Sequence, residues 1–248
     1  MSPLSRRRLV TGGLAAAGVT AAAALAKWMG FVPPDGVGVF APGATLTYAT
    51  MRLLAGNALA REFPRDMISA KPFANEVDPL PPEFARHRAD GFANWTLDVG
   101  GMVDRPATLS LADIKRHPVH RQVTEIACEE GWSYVAEWSG ALLSDVLAAA
   151  GVQPGARFVV YHSIGADWWD SLDLVEASHP QTLLAWGMNG GDLPAPFGGP
   201  LRMRVPRQLG YKSVKYITRL TLTDSLARFG KGRGSSNGDS GYQWYAGI

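Results

Sequence analysis

The sequence predicts an α+β domain, strand-dominated, built on a mixed sheet with short helices. Three observations support that class. Residues 95–103 (WTLDVGGMV) and 215–223 (KYITRLTLT) carry the apolar/polar alternation of half-buried strands. The segments with helical spacing are short and do not alternate regularly with strands, which argues against a doubly wound nucleotide-binding fold. The chain has 28 glycines and eight tryptophans in 248 residues, a composition of turns and large rings rather than of a helical bundle.

Taken in order, residues 1–26 begin with Ser5-Arg6-Arg7-Arg8-Leu9-Val10 and continue as an Ala/Gly-rich run to Ala26. A basic start, a weakly apolar stretch and the Ala24-Leu25-Ala26 triplet have the layout of a cleavable export signal, and the arginine pair resembles the twin-arginine type. An uncleaved membrane anchor is the alternative, because the run is about long enough to span a bilayer. Without residues 1–26 the chain keeps 21 Lys+Arg against 22 Asp+Glu, so the basic balance owes much to the signal. The remaining body has no electrostatic footprint for nucleic acid.

Residues 27–94 read as an extended arm and covering loop. Residues 28–50 are rich in Pro and Gly, residues 48–61 have helical spacing, and residues 62–82 hold too many prolines for regular structure. The core, residues 95–224, opens with the strand at 95–103. Ser110 and Asp113 then frame a short helix in capping-box style. A strand is expected over 121–127 and a second helix over 140–151, with Gly151 as its C-terminal cap. Residues 157–164 (RFVVYHSI) form a strand and residues 170–177 a helical turn. Strands at 182–188 and 200–205, joined through Asn189-Gly190-Gly191-Asp192, precede the last strand at 215–223. Residues 225–248 are a Gly/Ser-rich tail, ordered only if Tyr242, Trp244 and Tyr245 dock.

Cys128 is the only cysteine, so it cannot form an internal disulfide. It stands where the 121–127 strand ends, a position that is rigid yet able to reach a cleft. Metal ligand, nucleophile and buried filler all remain open for it. The adjacent Glu129 and Glu130 raise a thiol pKa and disfavour a free thiolate, whereas a metal would deprotonate the thiol outright. His117-Pro118-Val119-His120 lacks a third ligand and the spacing of a zinc site. Gly230-Lys231-Gly232-Arg233-Gly234 lacks phosphate-loop spacing. A second cluster runs from Gly199 to Lys215, with Arg202, Arg204, Arg207, Lys212 and Lys215 among glycines, and suits an anionic cofactor. A solvated strand edge is the bland alternative.

The ordered set Ala127-Cys128-Glu129-Glu130-Gly131-Trp132-Ser133, Trp138-Ser139-Gly140, Leu183-Leu184-Ala185 with Asn189-Gly190, Gly199-Pro200-Leu201-Arg202 and Leu209-Gly210-Tyr211-Lys212-Ser213-Val214-Lys215-Tyr216 resembles the sulfite oxidase-type molybdopterin-binding domain. The resemblance covers residues 95–224, and within it the bacterial periplasmic protein-methionine-sulfoxide reductase catalytic subunits are the most similar branch. It implies molybdenum-molybdopterin (Mo-MPT) as cofactor, with Cys128 as molybdenum ligand and catalytic centre. It places Arg202, Ser213, Val214 and Lys215 on the pterin phosphate and ring, with Ser163 and Glu130 also in the cofactor set. Lys71, Phe73 and Asn75 fall on a loop over the metal. Phe197 stands where the family usually has a polar contact.

Sulfite oxidases continue after the cysteine with Ala-Gly-Asn and an anion-binding arginine; Glu129, Glu130 and Gly131 stand here, which argues against sulfite. The implied function is an exported oxidoreductase performing oxygen-atom transfer or oxide reduction, with electrons exchanged with a membrane b-type cytochrome. The implied location is the periplasm, reached by the route that carries folded, cofactor-loaded proteins, and the implied state is a monomer. A non-catalytic molybdopterin-binding or electron-transfer module is the alternative.

Overall fold

The computed structural model describes residues 24–26, 29–75, 80–165 and 167–248. The export signal expected over residues 1–26 lies outside these apart from its last three. The described residues divide into two compact units, those up to Gly56 and those from Asn57 on. In the first, helix α1 (Ala41–Ala55) replaces the helix expected over 48–61. Pro42 is accommodated in a first helical turn, where its missing N–H costs nothing, and Gly56 follows the last helical residue.

The second unit contains two sheets. In the first sheet the strand order is β2 (Ala107–Ser110), β1 (Thr96–Gly101), β10 (Ile217–Thr223), β5 (Phe158–Ser163) and β6 (Trp169–Asp173). Only β1 and β10 pair in parallel, so the sheet is mixed as expected. The second sheet runs β3 (His120–Ala127), β4 (Ser133–Leu142), β7 (Leu183–Met188) and β8 (Gly191–Asp192), with β9 (Arg202–Arg204) also on β7. Asn189 (φ 52°) and Gly190 (φ 84°) turn β7 into β8, the positive φ pair of a tight hairpin turn.

Five short helices accompany the sheets: α2 (Pro82–Ala89), α3 (Leu111–Lys115), α4 (Leu143–Ala150), α5 (Leu174–Ala177) and α6 (Ser236–Asp239). The Ser110–Asp113 capping box forms, with Asp113 N donating to Ser110 Oγ at 3.1 Å and Ser110 N to Asp113 Oδ2 at 2.8 Å. Helix α4 ends at Gly151 in the left-handed region, as its position in the sequence predicts. The main core joins both sheets through α4: Leu97, Tyr161, Leu172, Leu184, Met203 and Leu222 meet Leu143, Val146 and Leu147.

Two further expected elements are corrected. Residues 140–142 belong to β4, not to a helix, because Gly140 pairs with Ala185 and Leu142 with Leu183 on β7. Residues 170–173 belong to β6, and only Leu174–Ala177 is helical, with Asp173 Oδ1 accepting from Glu176 N at 2.8 Å. All five residues of β6 are buried, so the strand has no alternation to betray it. The tail docks through Trp244 and Tyr245, which are buried, while Tyr242 is exposed.

Candidate cofactor site

Strands β3 and β4 form a hairpin whose last pair is Ala127 with Ser133, and Cys128 lies in the loop between them. Cys128 N donates to Trp132 O at 2.9 Å and Gly131 N to Cys128 O at 3.1 Å, closing a tight loop. The thiol donates to Glu129 Oε2 at 3.1 Å. Burial pushes the Cys128 pKa up to about 12, helped by the charges of Glu129 and Glu130. The unligated side chain is therefore a neutral thiol, the opposite of an activated nucleophile.

Cys128 opens on a cavity of about 370 Å³. Volumes of about 300–1,000 Å³ are usual for small-molecule sites. Nine of the eleven sequence-predicted site residues line it: Asn75, Cys128, Glu130, Ser163, Phe197, Arg202, Ser213, Val214 and Lys215. Lys71 and Phe73 do not. Lys71 is exposed, and Phe73 is exposed with its ring 5.3 Å from that of Trp132. Among the described residues no histidine lines the cavity beside the thiol.

Two basic side chains, Arg202 and Lys215, line the same cavity. Arg202, 2% exposed, donates from Nη1 to Phe197 O and from Nη2 to Ser213 O, both at 2.6 Å. Phe197 thus supplies a backbone acceptor, while its ring sits edge-on to Tyr134 at 5.8 Å. Lys215 Nζ donates to Asn75 O, and to Pro196 O at 2.6 Å. Gly198, at φ 103°, leaves room for it, since a Cβ there would meet Lys215 Cγ at 2.7 Å. Glu130 Oε2 accepts from Asn75 Nδ2 at 2.9 Å and Trp132 Nε1 at 2.7 Å, fastening residue 75 to the cysteine loop. Behind the wall, Arg204 is fully buried, and its Nε and Nη1 have no hydrogen-bond acceptor. Its pKa is lowered to about 9, first by burial and then by Arg202. Neither arginine forms an ion pair with a carboxylate among the described residues.

Residues 84–228 match the family described as the oxidoreductase molybdopterin binding domain. The chain belongs to this family. Among relatives of this molybdopterin-binding domain, a chain of Azospira oryzae with the provisional name protein-methionine-sulfoxide reductase subunit YedZ1 is 36% identical over 155 residues, covering 62% of this chain and 56% of its own. The protein-methionine-sulfoxide reductase catalytic subunit MsrP of Xanthomonas axonopodis pv. citri is 34% identical, covering 53% of this chain and 46% of its own. MsrP of Campylobacter jejuni is 31% identical, covering 62% and 57%. The chain therefore spans about half the length of the curated relatives it matches. A crystal structure of the sulfane dehydrogenase SoxCD from Paracoccus pantotrophus shares the fold, with TM-score 0.51 and 24% identity over 54% of this chain and 39% of that one.

The cavity suits the family's molybdopterin. Positive charge on Arg202, which lines the cavity without a carboxylate ion pair among the described residues, is what a phosphate-bearing ligand offsets. A soft sulfur donor in the same cavity matches molybdenum rather than a hard cation. Sequence reasoning did not single out Trp132, Tyr134, Trp168, Tyr211 and Tyr216 as lining residues. Tyr216 alone leaves a structural trace: a buried aromatic residue at φ 56°, held by its hydroxyl donating to Ala195 O at 2.8 Å.

Proposed function

We propose that this chain is an exported molybdopterin-dependent oxidoreductase that reduces a neutral oxide, a methionine sulfoxide in first place, at a molybdenum held by Cys128. One observation carries the reading: the Cys128 thiol and the buried Arg202 line the same cavity. When bound, the cofactor supplies a redox metal able to exchange an oxygen atom with substrate and electrons with a partner. Cys128 would hold the metal as a thiolate, its proton lost on coordination. Arg202, Ser213, Val214 and Lys215 hold the pterin and its phosphate, with Ser163 and Asn75 completing the contact and Phe197 contributing its carbonyl through Arg202. Glu130 keeps Asn75 in place.

The two carboxylates beside the thiol set the substrate's charge. Glu129 and Glu130 repel an anion such as sulfite, whereas a sulfoxide approaches without like-charge cost. Trp132, Tyr134 and Trp168 offer rings to a methyl-sulfur group. The sulfoxide assignment draws on the printed names of the relatives. Electrons come from a separate carrier, a membrane b-type cytochrome; the relatives' printed names, which call them subunits, support a partner. Export by the twin-arginine route rests on residues 1–26 alone; among the described residues no helix is long and apolar enough to cross a membrane.

The test is elemental analysis and turnover on protein made in a host that synthesises molybdopterin. Near-stoichiometric molybdenum is expected, with oxidation of a reduced viologen dye when methionine sulfoxide is added, and loss of turnover in Cys128→Ser. Absence of both molybdenum and pterin would sink the cofactor assignment. Metal without turnover on any sulfoxide or N-oxide would overturn the reductase and leave a binding module.

A further inference from the structure

The cavity wall made by residues 210–215 is held from behind by residues 242–248, which lie beyond the family match ending at residue 228. Leu209 N donates to Ala246 O at 2.9 Å and Ile248 N to Arg207 O at 3.0 Å, and Gln208 bridges to Gly247 in antiparallel sense. The Tyr211 hydroxyl donates to Gln243 O at 2.6 Å, and its ring meets that of Tyr242 edge-on at 5.6 Å. Trp244 is the centre of the grip. Its indole N–H donates to Ser171 Oγ at 2.8 Å, and its face lies 5.2 Å from the Lys212 ammonium.

Lys212 passes that hold to the cavity. It is fully buried, paired with Asp170, and donates to Ser171 O at 2.8 Å, while its own carbonyl accepts from the Tyr161 hydroxyl at 2.8 Å. The next residue, Ser213, presents its carbonyl to Arg202 and accepts from Val205 N at 3.0 Å through its hydroxyl. Residues 210–215 belong to no strand, and Gly210–Lys212 is one 3₁₀ turn, so no sheet ladder fixes their position. The grip from residues 242–248 acts on them beside the single bonds from Tyr161, Arg202, Met203 and Val205.

We infer that residues 242–248 are a positioning segment for the cofactor wall, with Trp244 as its central positioning residue acting through Lys212. This rests on the molybdopterin reading above for the identity of the ligand, and on the geometry alone for the positioning.

The experiment compares full-length wild type with Trp244→Ala, Trp244→Phe and Tyr211→Phe. Amide hydrogen exchange is read on cofactor-free chain from a host unable to make molybdopterin, and the rate of molybdopterin release is read on loaded protein. Loss of the indole's contacts is expected to speed exchange at residues 209–214 and cofactor release each by about tenfold in Trp244→Ala. Exchange in β3 and β4 should stay at the wild-type rate, and Trp244→Phe, which keeps a ring face over Lys212, should recover most of both effects. Faster exchange everywhere alike would mean that Trp244 is ordinary core, and wild-type exchange at residues 209–214 would remove the grip; either overturns the inference. If Trp244→Ala does not fold, Tyr211→Phe decides: unchanged exchange at residues 209–214 overturns it, and a local rise supports it. A wild type that never holds molybdopterin would overturn the earlier reading instead, and the exchange measurements would still decide the positioning role.

Discussion

Arg202 Nη2 donates to the Ser213 carbonyl at 2.6 Å, and this bond joins strand β9 to the wall that carries Val214 and Lys215. The same guanidinium reaches Phe197 O from Nη1, so one planar fork sets two sides of the cavity. A lysine keeps the charge and loses the fork. Arg202→Lys is expected to lower molybdenum occupancy by about tenfold or more, with each lost charge-assisted bond worth about 1.5–3 kcal/mol. Molybdenum per protein, measured beside the melting temperature, checks this; full occupancy in a folded variant would remove Arg202 from the cofactor set.

Gly198 and Lys215 are placed by one close approach. A Cβ at Gly198 would meet Lys215 Cγ at 2.7 Å and its Cα at 3.2 Å, and φ there is 103°. Gly198→Ala is expected to cost about 1–3 kcal/mol of stability from backbone strain. It should also move Lys215 away from Asn75 and speed cofactor loss. Urea unfolding of the cofactor-free chain measures the first effect and pterin release the second. A variant that loses stability but retains cofactor at the wild-type rate would show that Lys215 does not hold it.

Asp170 supplies a pH-dependent term. Burial raises its pKa to about 6 in the folded chain, against a partial offset from Lys212, while the unfolded value is near 3.8. Between those values the folded state binds a proton that the unfolded state does not, so this residue's contribution to stability is full below about pH 4 and declines as pH rises through 6. Unfolding curves of wild type and Asp170→Asn across pH 4 to 7.5 test the sign. The difference between the two should move against the wild type as pH rises and then level off; a difference that moves the other way would mean that the Lys212 attraction outweighs burial.

Part of the candidate site was legible because its residue types are scarce in the chain. A lone cysteine at the end of a strand and a run of cations among glycines stand out without coordinates. The wall around them was not, because its aromatic members carry no spacing rule. Trp132 stands within the cysteine motif, but Tyr134 and Trp168 resemble any other ring in the chain. In the loop upstream, Asn75 lines the cavity while Lys71 and Phe73 do not. An irregular segment has no period to say which side chain faces inward. The alternating Arg202 and Arg204 also admit the reading of a wet strand edge, and only the partners of β9 decide that they are buried.

By itself the sequence determined the local elements: the β1 and β10 alternation, the Ser110–Asp113 cap, the Gly151 stop, and Cys128 at the end of β3. Each depends on neighbours within a few residues, and such interactions are encoded where they act. Tertiary structure decided the rest. Pairing with β7 carried β4 to Leu142 against helical spacing, and pairing with β5 made a strand of residues 169–173. The same long-range contacts put Cys128 and Arg202 in one cavity, 74 positions apart in the chain. The free energy of those choices comes from apolar burial and backbone pairing between distant segments, and no short window of sequence contains both partners.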